Sequence, residues 1–205
     1  SSIVTAGANP IFSVLELDSQ NISVQTIQAV LTPNTKAIIC VHLAGWMCDM
    51  DPIMQLARDK GLYVIEDCAQ AHGAQYKGKL AGSIGHIAAW SFCQDKIMTT
   101  GGEGGMVTTN DEELWKKMWS YKDHGKNFDS IYNKQHPPGF RWLHDSFGTN
   151  WRMMEMQAVI GRIQLTKMPE WTKKRMDNTN IILNAFENSP YFTVHRPSND
   201  YVHAC

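Results

Sequence analysis

The 205-residue sequence contains no Cys-x-x-Cys pair and no His-x-x-x-His pair, although it has five cysteines and eight histidines. Structural and catalytic zinc sites usually carry ligand spacings of this kind, so the pattern does not indicate a zinc site. The odd number of cysteines also argues against a disulfide framework. We expect reduced thiols, as in the cytosol, with Cys40, Cys68 and Cys93 serving as small core residues.

The sequence also lacks an excess of charge and long apolar runs. It has 19 Lys plus Arg against 20 Asp plus Glu, which gives a net charge of -1 and no basic footprint for nucleic acid. No apolar run reaches the ~18 residues of a membrane-spanning helix. The first residues lack the basic and apolar segments of a signal peptide. We therefore expect a cytoplasmic protein with neither nucleic acid nor membrane as a partner.

Alternating strand and helix patterns occupy the first two-thirds of the chain. Strands are predicted at residues 10–17, 36–43, 62–65, 87–92 and 105–109, and helices at residues 24–31, 51–60 and 111–123. The apolar run at 36–43 is typical of a strand buried on both faces. In the second helix, Asp51 is predicted as the N-cap and Gly61 as the stop. Such an alternation predicts an α/β fold with a largely parallel sheet covered by helices.

The last third of the chain has a different pattern. Residues 126–148 contain Pro137-Pro138-Gly139 and are predicted to form a long loop, a kind of segment that is often functional. Helices are predicted at 152–167 and, after Pro169, up to residue 188. The methionines at helical spacing in this region are predicted to face the core.

Both ends of the sequence are expected to be points inside a longer protein. The first eight residues resemble the tail of a helix with its glycine stop, and residues 201–205 resemble a strand with no turn after it. We expect residues 1–188 to form an N-terminally truncated large domain and residues 189–205 to begin a C-terminal small domain. A compact natural domain with frayed ends is the alternative.

Polar side chains follow two of the predicted strands, where ligands gather in parallel sheets. Asp67 follows a buried strand, so its charge requires a cationic partner or several donors, and a protonated pyridinium nitrogen is one such partner. The alternative is an aspartate that caps the following turn. Lys96 follows the next strand, where a lowered pKa would favour Schiff-base chemistry. The alternative for this residue is an ordinary surface lysine.

A glycine-rich turn at residues 101–105 follows Lys96. It could cradle an anion, or it could be a hairpin that requires positive φ angles. No Gly-Lys-Ser or Gly-Lys-Thr follows it, and its spacing is not Gly-x-Gly-x-x-Gly. A P-loop and a dinucleotide site are therefore not indicated.

Taken together, these segments resemble the DegT/DnrJ/EryC1/StrS aminotransferases. The resemblance is carried, in the family's order, by VHLAG at 41–45, EDCAQAHGA at 66–74, SFCQDK at 91–96, TTGGEGG at 99–105 and GTNWRMMEMQA at 148–158. It implies the large domain of a fold-type I pyridoxal-phosphate (PLP) transferase. It also implies transfer of an amino group from glutamate to a keto-sugar nucleotide, in aminosugar synthesis for cell-surface polysaccharide or antibiotics.

The resemblance further implies a role for each candidate residue. Lys96 would hold PLP as a Schiff base and later move the proton, and Asp67 would pair with the pyridine nitrogen. Gln70 would hydrogen-bond the 3-hydroxyl and Ser91 the phosphate. Asn150 would reach the phosphate in the neighbouring subunit of a homodimer with shared active sites. A related dehydratase branch has histidine at the lysine position, so lysine here implies transamination.

Two alternatives remain open at this point. A family member could bind PLP or a sugar nucleotide as a regulatory module without turnover. A domain without PLP could use Asp67 and Lys96 merely as a structural ion pair. The family's N-terminal phosphate turn and ring-stacking aromatic residue are not found in this sequence, so the chain by itself is expected to bind PLP poorly. The sequence predicts neither the sugar, the reacting carbon, nor the role of residues 126–148.

Overall fold

The computed structural model describes residues 1–204. In chain order the elements are α1 (Ser2–Thr5), α2 (Val24–Gln28), β1 (Ala37–Val41), a 3-10 turn (Leu43–Gly45), α3 (Met50–Lys60), β2 (Tyr63–Asp67), β3 (Gln75–Tyr76), β4 (Lys79–Leu80), β5 (Ile87–Ser91), β6 (Gly105–Thr108), α4 (Glu112–Lys122), α5 (Phe128–Tyr132), α6 (Glu155–Phe186) and β7 (Tyr201–Val202). No helix among these residues is both long and apolar enough to cross a membrane.

The main sheet has four strands in the order β1-β2-β5-β6. β1, β2 and β5 are parallel to one another, and β6 is antiparallel to β5. A second, smaller antiparallel sheet has the order β4-β3-β7. The mostly parallel main sheet with its helices confirms the predicted α/β fold.

The two faces of the main sheet differ in burial. Side chains alternate along each strand, and one face packs into the core with Cys40, Val64 and Ala88, against Ile53 and Leu56 of α3. On the other face the side chains at the ends of the same strands are half-buried or exposed. The prediction that residues 36–43 are buried on both faces is therefore wrong, because β1 alternates between buried and accessible positions.

Helix α3 begins at Met50, one residue earlier than predicted, and its N-cap lies two residues earlier than predicted. Its N-cap position is Asp49, and Asp51 lies in the first turn, so the N-cap prediction for Asp51 is wrong. The side chain of Asp49 accepts a hydrogen bond from Tyr76 Oη at 2.5 Å instead of capping the helix. The predicted stop at Gly61 is confirmed, since its φ of 64° is the left-handed conformation that glycine adopts readily.

Residues 10–17 do not form the predicted strand. They belong to no strand pair, and Phe12 and Leu17 are 87% and 85% exposed. An apolar run becomes a strand only where a neighbouring strand completes its hydrogen bonds. No such neighbour lies beside this segment among residues 1–204.

The last third also departs from the prediction in two ways. The segment 126–148 contains the short helix α5, and α6 continues through Pro169 instead of dividing there. The methionine stripe is only partly in the core: Met168 is buried, but Met156 is 72% exposed. α6 packs against residues 98–100 at Gly161 and Met168, and Met156 lies outside this contact.

The thiols of the described residues are free. Cys40, Cys48 and Cys68 are buried, and Cys93 is half-buried. Cys205, which is also predicted to be a reduced thiol, lies outside the described residues.

We predict that Pro169→Ala stabilises the protein. Proline has no N–H for the helical bond to Leu165, and its ring crowds the preceding turn, so relief of this defect is expected to contribute up to ~3 kcal/mol. The urea midpoint of the complete protein measures this effect, with the exposed Glu170→Ala on the same helix as the control. An unchanged midpoint would show that α6 accommodates Pro169 without cost.

Candidate active site

Asp67 is the last residue of β2, and its carboxylate has unused acceptor capacity. Its carbonyl accepts the N–H of His42 at 3.2 Å, which extends the pairing of β1 and β2. Its Oδ1 accepts the N–H of Ala69 at 3.1 Å. The alternative that Asp67 caps the following turn therefore holds for one of its two carboxylate oxygens. No cationic side chain among residues 1–204 pairs with the carboxylate. The half-buried Asp67 can therefore still receive a cationic group.

Ser91 lies on the same face of the sheet as Asp67. Asp67 pairs with Ala89 of β5, and Ser91 is two residues further along that strand. Strand spacing and rise place the Cα atoms of Asp67 and Ser91 about 8 Å apart. The Ser91 hydroxyl accepts only a long hydrogen bond from the N–H of Cys93, at 3.4 Å. Its donor proton therefore remains available on the accessible face.

Lys96 lies five residues beyond Ser91, in the connection between β5 and β6. Its N–H donates to the carbonyl of Cys93 at 3.1 Å, which closes the turn. Its half-buried side chain forms no hydrogen bond or ion pair with any residue that the structure describes. Asp67 and Lys96 therefore do not form the structural ion pair considered as an alternative.

His72 lies in the connection after β2 and is almost fully buried. Its ring packs against Trp90 and Phe92, with ring centroids 5.3 and 5.9 Å away. Burial lowers the pKa of His72, the carbonyl of Ser91 raises it, and the positive charges of Lys96 and Arg175 lower it further. The net shift is downward, which favours the neutral imidazole.

Gln70 is fixed by a backbone group that was not predicted from the sequence. Its Oε1 accepts the N–H of Ala44 at 2.7 Å. Ala44 has a φ of 52° within the 3-10 turn, a left-handed conformation that is uncommon for alanine. The sequence carries no signal for this, because alanine is not a residue that favours a positive φ.

The glycine turn after Lys96 connects two antiparallel neighbours. Ser91 pairs with Gly105, and Gly101 and Gly102 have φ angles of 79° and 146°. These values support the hairpin alternative for the glycines. Gln164 of α6 accepts the N–H of Thr99 at 2.8 Å, which ties this connection to the long helix.

Asn150 lies in a different segment from the other four candidate residues. It forms a bridge with Asp123, and its Oδ1 accepts a hydrogen bond from Arg152 Nε at 3.0 Å. Burial raises the pKa of Asp123, but hydrogen bonds from His124 and Lys126 outweigh it and hold the pKa below its usual range. The structure thus places Asp67, Gln70, Ser91 and Lys96 at the ends of β2 and β5, and Asn150 in a separate, exposed segment.

A fully buried hydrogen-bond network lies behind Asp67. Glu66 Oε2 accepts from His42 Nε2 and from the N–H of Gly82, both at 2.9 Å. Its Oε1 accepts the N–H groups of Ile84 and Gly85 at 2.9 and 2.5 Å. Burial raises the pKa of Glu66, but the hydrogen bonds from His42, Gly85 and Gly82 outweigh it and hold the pKa below its usual range.

Two residues of this network, together with Cys68, form a group of potential metal ligands. One ligand atom each from His42, Glu66 and Cys68 lies within 4.8 Å of the others. Both nitrogens of the histidine and both carboxylate oxygens are already engaged in protein hydrogen bonds. In this arrangement the group is a hydrogen-bond network, and its composition alone does not make it a metal centre.

We predict that Glu66→Gln destabilises the protein by ~2–4 kcal/mol at pH 7, because its amide NH2 must face buried N–H donors. The folded-state pKa of Glu66 is depressed, so its stabilisation is complete above the ordinary pKa of ~4.3 and is lost as the pH falls through the folded value. Urea midpoints between pH 7 and pH 3 should fall more steeply for the wild type than for the variant. The exposed Glu113→Gln is the control, and equal midpoints at pH 7 would contradict the prediction.

The chain matches the model of the DegT/DnrJ/EryC1/StrS aminotransferase family over residues 1–205. It is 38% identical over 202 residues to a protein named GDP-perosamine synthase from Escherichia coli O157:H7, covering 98% of this chain and 52% of that protein. It is 40% identical over 174 residues to a protein named pleiotropic regulatory protein from Geobacillus stearothermophilus, covering 85% of this chain and 44% of that protein.

A solved structure gives a similar result. An aminotransferase from Psychrobacter cryohalolentis matches with a TM-score of 0.96 and 62% identity, over 99% of this chain and 53% of that chain. The chain therefore spans about half the length of the relatives it matches. The predicted family and the predicted fold class are confirmed by these matches.

Proposed function

The chain belongs to the DegT/DnrJ/EryC1/StrS aminotransferase family, and we propose that it is part of a PLP-dependent enzyme that transfers an amino group from glutamate to a keto-sugar nucleotide. The proposal depends on two charged groups after neighbouring strands, neither of which has a partner of opposite charge within residues 1–204. Asp67 has a carboxylate without a cationic partner, and Lys96 has an amine without an ion pair, among the residues described. Transamination with PLP requires these two groups.

The four candidate residues that follow or end β2 and β5 fit PLP by their chemistry. The free acceptor capacity of Asp67 suits a protonated pyridine nitrogen, and the Lys96 amine suits the aldehyde. The amide nitrogen of Gln70 and the hydroxyl of Ser91 can each still donate a hydrogen bond, so they suit the ring oxygen and the phosphate. When bound, PLP supplies the electron sink for the amino-group transfer.

Each residue then has a defined task. Lys96 would hold the cofactor, and its amine would take a proton from the donor carbon and later return one to the acceptor carbon. Asp67 would keep the ring nitrogen protonated, and Ser91 would hold the phosphate. We propose a ping-pong sequence in which glutamate reacts first and the keto-sugar nucleotide second.

A sugar-nucleotide acceptor is supported by the name of the E. coli relative, GDP-perosamine synthase. We propose an aminosugar product used in a cell-surface polysaccharide or an antibiotic, made in the cytoplasm. We further propose that residues 1–188 belong to the PLP-binding large domain and that residues 189–205 begin the small domain.

The separate position of Asn150 supports a homodimer with shared active sites. In this segment Trp142, Phe147 and Trp151 are 85%, 99% and 68% exposed. Exposed aromatic side chains in a cluster mark a surface that another protein covers. We propose that a second copy covers it and that Asn150 binds the cofactor phosphate held by that copy.

A regulatory member of the family is the second candidate. It is favoured by the 40% identity to a relative named pleiotropic regulatory protein. Such a module would bind PLP or a sugar nucleotide without turnover, so glutamate-dependent chemistry separates the two candidates.

We predict that the complete, PLP-loaded protein forms one equivalent of 2-oxoglutarate from glutamate, and forms it catalytically when a keto-sugar nucleotide is added. Lys96→Ala removes the acid–base group and should slow the glutamate reaction ~10³-fold, whereas the exposed Lys79→Ala should not. Chromatographic assay of 2-oxoglutarate, across a panel of keto-sugar nucleotides, is the measurement. Bound PLP without any 2-oxoglutarate would favour the regulatory candidate.

We also predict complementation between two inactive variants. If Asn150 serves the partner's site, a mixed dimer of Lys96→Ala and Asn150→Asp contains one intact site, so an equal mixture should recover about a quarter of wild-type activity. Lys96→Ala mixed with Asp67→Ala is the matched control, because both residues belong to one subunit's site and no intact site can form. Recovery in the control, or none in the test mixture, would contradict the shared site.

A further inference from the structure

We propose that the buried pair His42 and Glu66 positions Gln70, acting through the backbone of Ala44, so that the amide of Gln70 faces the cofactor as a hydrogen-bond donor. The inference deepens the proposed function and depends on it. It makes His42 and Glu66 positioning residues, since neither faces the side of the sheet on which Asp67 and Ser91 lie.

The orientation of the Gln70 amide follows from its one partner. A backbone N–H can only donate, so the atom 2.7 Å from the nitrogen of Ala44 must be the amide oxygen. The NH2 group is thereby left to donate elsewhere. If the Ala44 N–H moved away, the amide could rotate and present its oxygen to the site, where it would repel the ionised ring oxygen of PLP.

The position of Ala44 depends on a turn that is held from several sides. The N–H of Gly45 donates to the carbonyl of His42 at 3.2 Å, and that of Trp46 to the carbonyl of Leu43 at 2.9 Å. The buried Asn21 clamps the same turn, because its Oδ1 accepts from Leu43 N and its Nδ2 donates to the Trp46 carbonyl. These bonds hold Ala44 in its left-handed conformation.

His42 holds both ends of the segment from residue 42 to residue 48. Its own N–H donates to the Asp67 carbonyl, and its Nδ1 accepts the N–H of Cys48 at 3.2 Å. Because Nδ1 accepts, the ring proton is on Nε2, which donates to Glu66 at 2.9 Å. Burial lowers the pKa of His42, but hydrogen bonds with Cys48 and Glu66 outweigh it and raise the pKa to about 9. The N–H of Cys48 nevertheless points at Nδ1 and excludes a proton from that nitrogen, so the ring links residue 48 to the strand that carries Asp67.

Glu66 is a rigid anchor for that ring. Its carboxylate is held by three backbone N–H groups from residues 82–85, and its side chain is completely buried. Neighbouring residues of a strand face opposite sides, so Glu66 and Asp67 divide two tasks. Asp67 faces the proposed cofactor, and Glu66 secures the turn that orients Gln70.

Two substitutions of His42 in the complete protein test the inference. The side-chain oxygen of His42→Asn can still accept from Cys48, but the donor to Glu66 is lost. His42→Gln can still donate to Glu66, but loses the acceptor for Cys48. We expect each to weaken PLP binding roughly tenfold and to raise the pH midpoint of the bound cofactor's absorbance by about one unit, as loss of a hydrogen bond to a charged oxygen predicts.

A double-mutant cycle separates positioning from general damage. Gln70→Ala alone should weaken PLP binding to a similar extent, and adding His42→Asn to it should cause little further loss, because His42 acts through Gln70. Tyr76→Phe is the control: it removes a half-buried hydrogen bond from the buried Tyr76 to the exposed Asp49. It should lower the thermal midpoint without changing PLP affinity or the absorbance midpoint.

The outcomes distinguish the two proposals. If the wild-type protein binds no PLP, the proposed function fails and this inference fails with it. If the wild type binds PLP and the His42 variants bind it equally well, only the inference fails. Additive losses in the double variant would also overturn it, since they would show that His42 does not act through Gln70.

Discussion

The candidate site depends on the alternation of side chains at the end of β2. Glu66 and Asp67 are adjacent in sequence but face opposite sides of the sheet. The first is buried among four hydrogen-bond donors, and the second remains open on the accessible face. A buried carboxylate is tolerated only when its hydrogen bonds are satisfied, so the loops around Glu66 must place N–H donors against it. The place of Asp67 is fixed as a consequence.

This arrangement also explains why half-buried groups with free hydrogen-bonding capacity collect on one face. The core face is closed by α3 and by the network of Glu66. The other face carries Asp67, Ala89 and Ser91 and is accessible in a chain that spans about half the length of its relatives. A cofactor site requires residues that are held rigidly on the core face and polar groups that can still form hydrogen bonds on the open face.

Most of the strands and the strand-end residues could be predicted from the sequence, because buried apolar runs and polar residues after them are local signals. Residues 10–17 were mispredicted because a strand requires a partner, which a local pattern cannot supply. Pro169 did not end α6, because one missing hydrogen bond costs less than the helix gains from the turns on either side. The exposed Met156 follows the helical period, and only the packing determines which face is buried.

The parts of the site that were not predictable are backbone features. The N–H of Ala44 contacts Gln70 because of a left-handed φ that alanine seldom adopts, so the residue type does not predict this contact. The inward direction of Glu66 could have been inferred from the period of two in a strand, once Asp67 was assigned to the open face. The bonds between Glu66 and residues 82–85 required the three-dimensional structure, since they join distant parts of the chain.

The most direct test of the central claim is reduction of the complete protein with borohydride after incubation with PLP, followed by peptide mapping. We expect a single pyridoxyl group on Lys96, whose amine is free of ion pairs among the described residues. Lys96→Ala should abolish the label while the fold is retained. A label on another lysine, or equal labelling of the Lys96→Ala variant, would contradict the account.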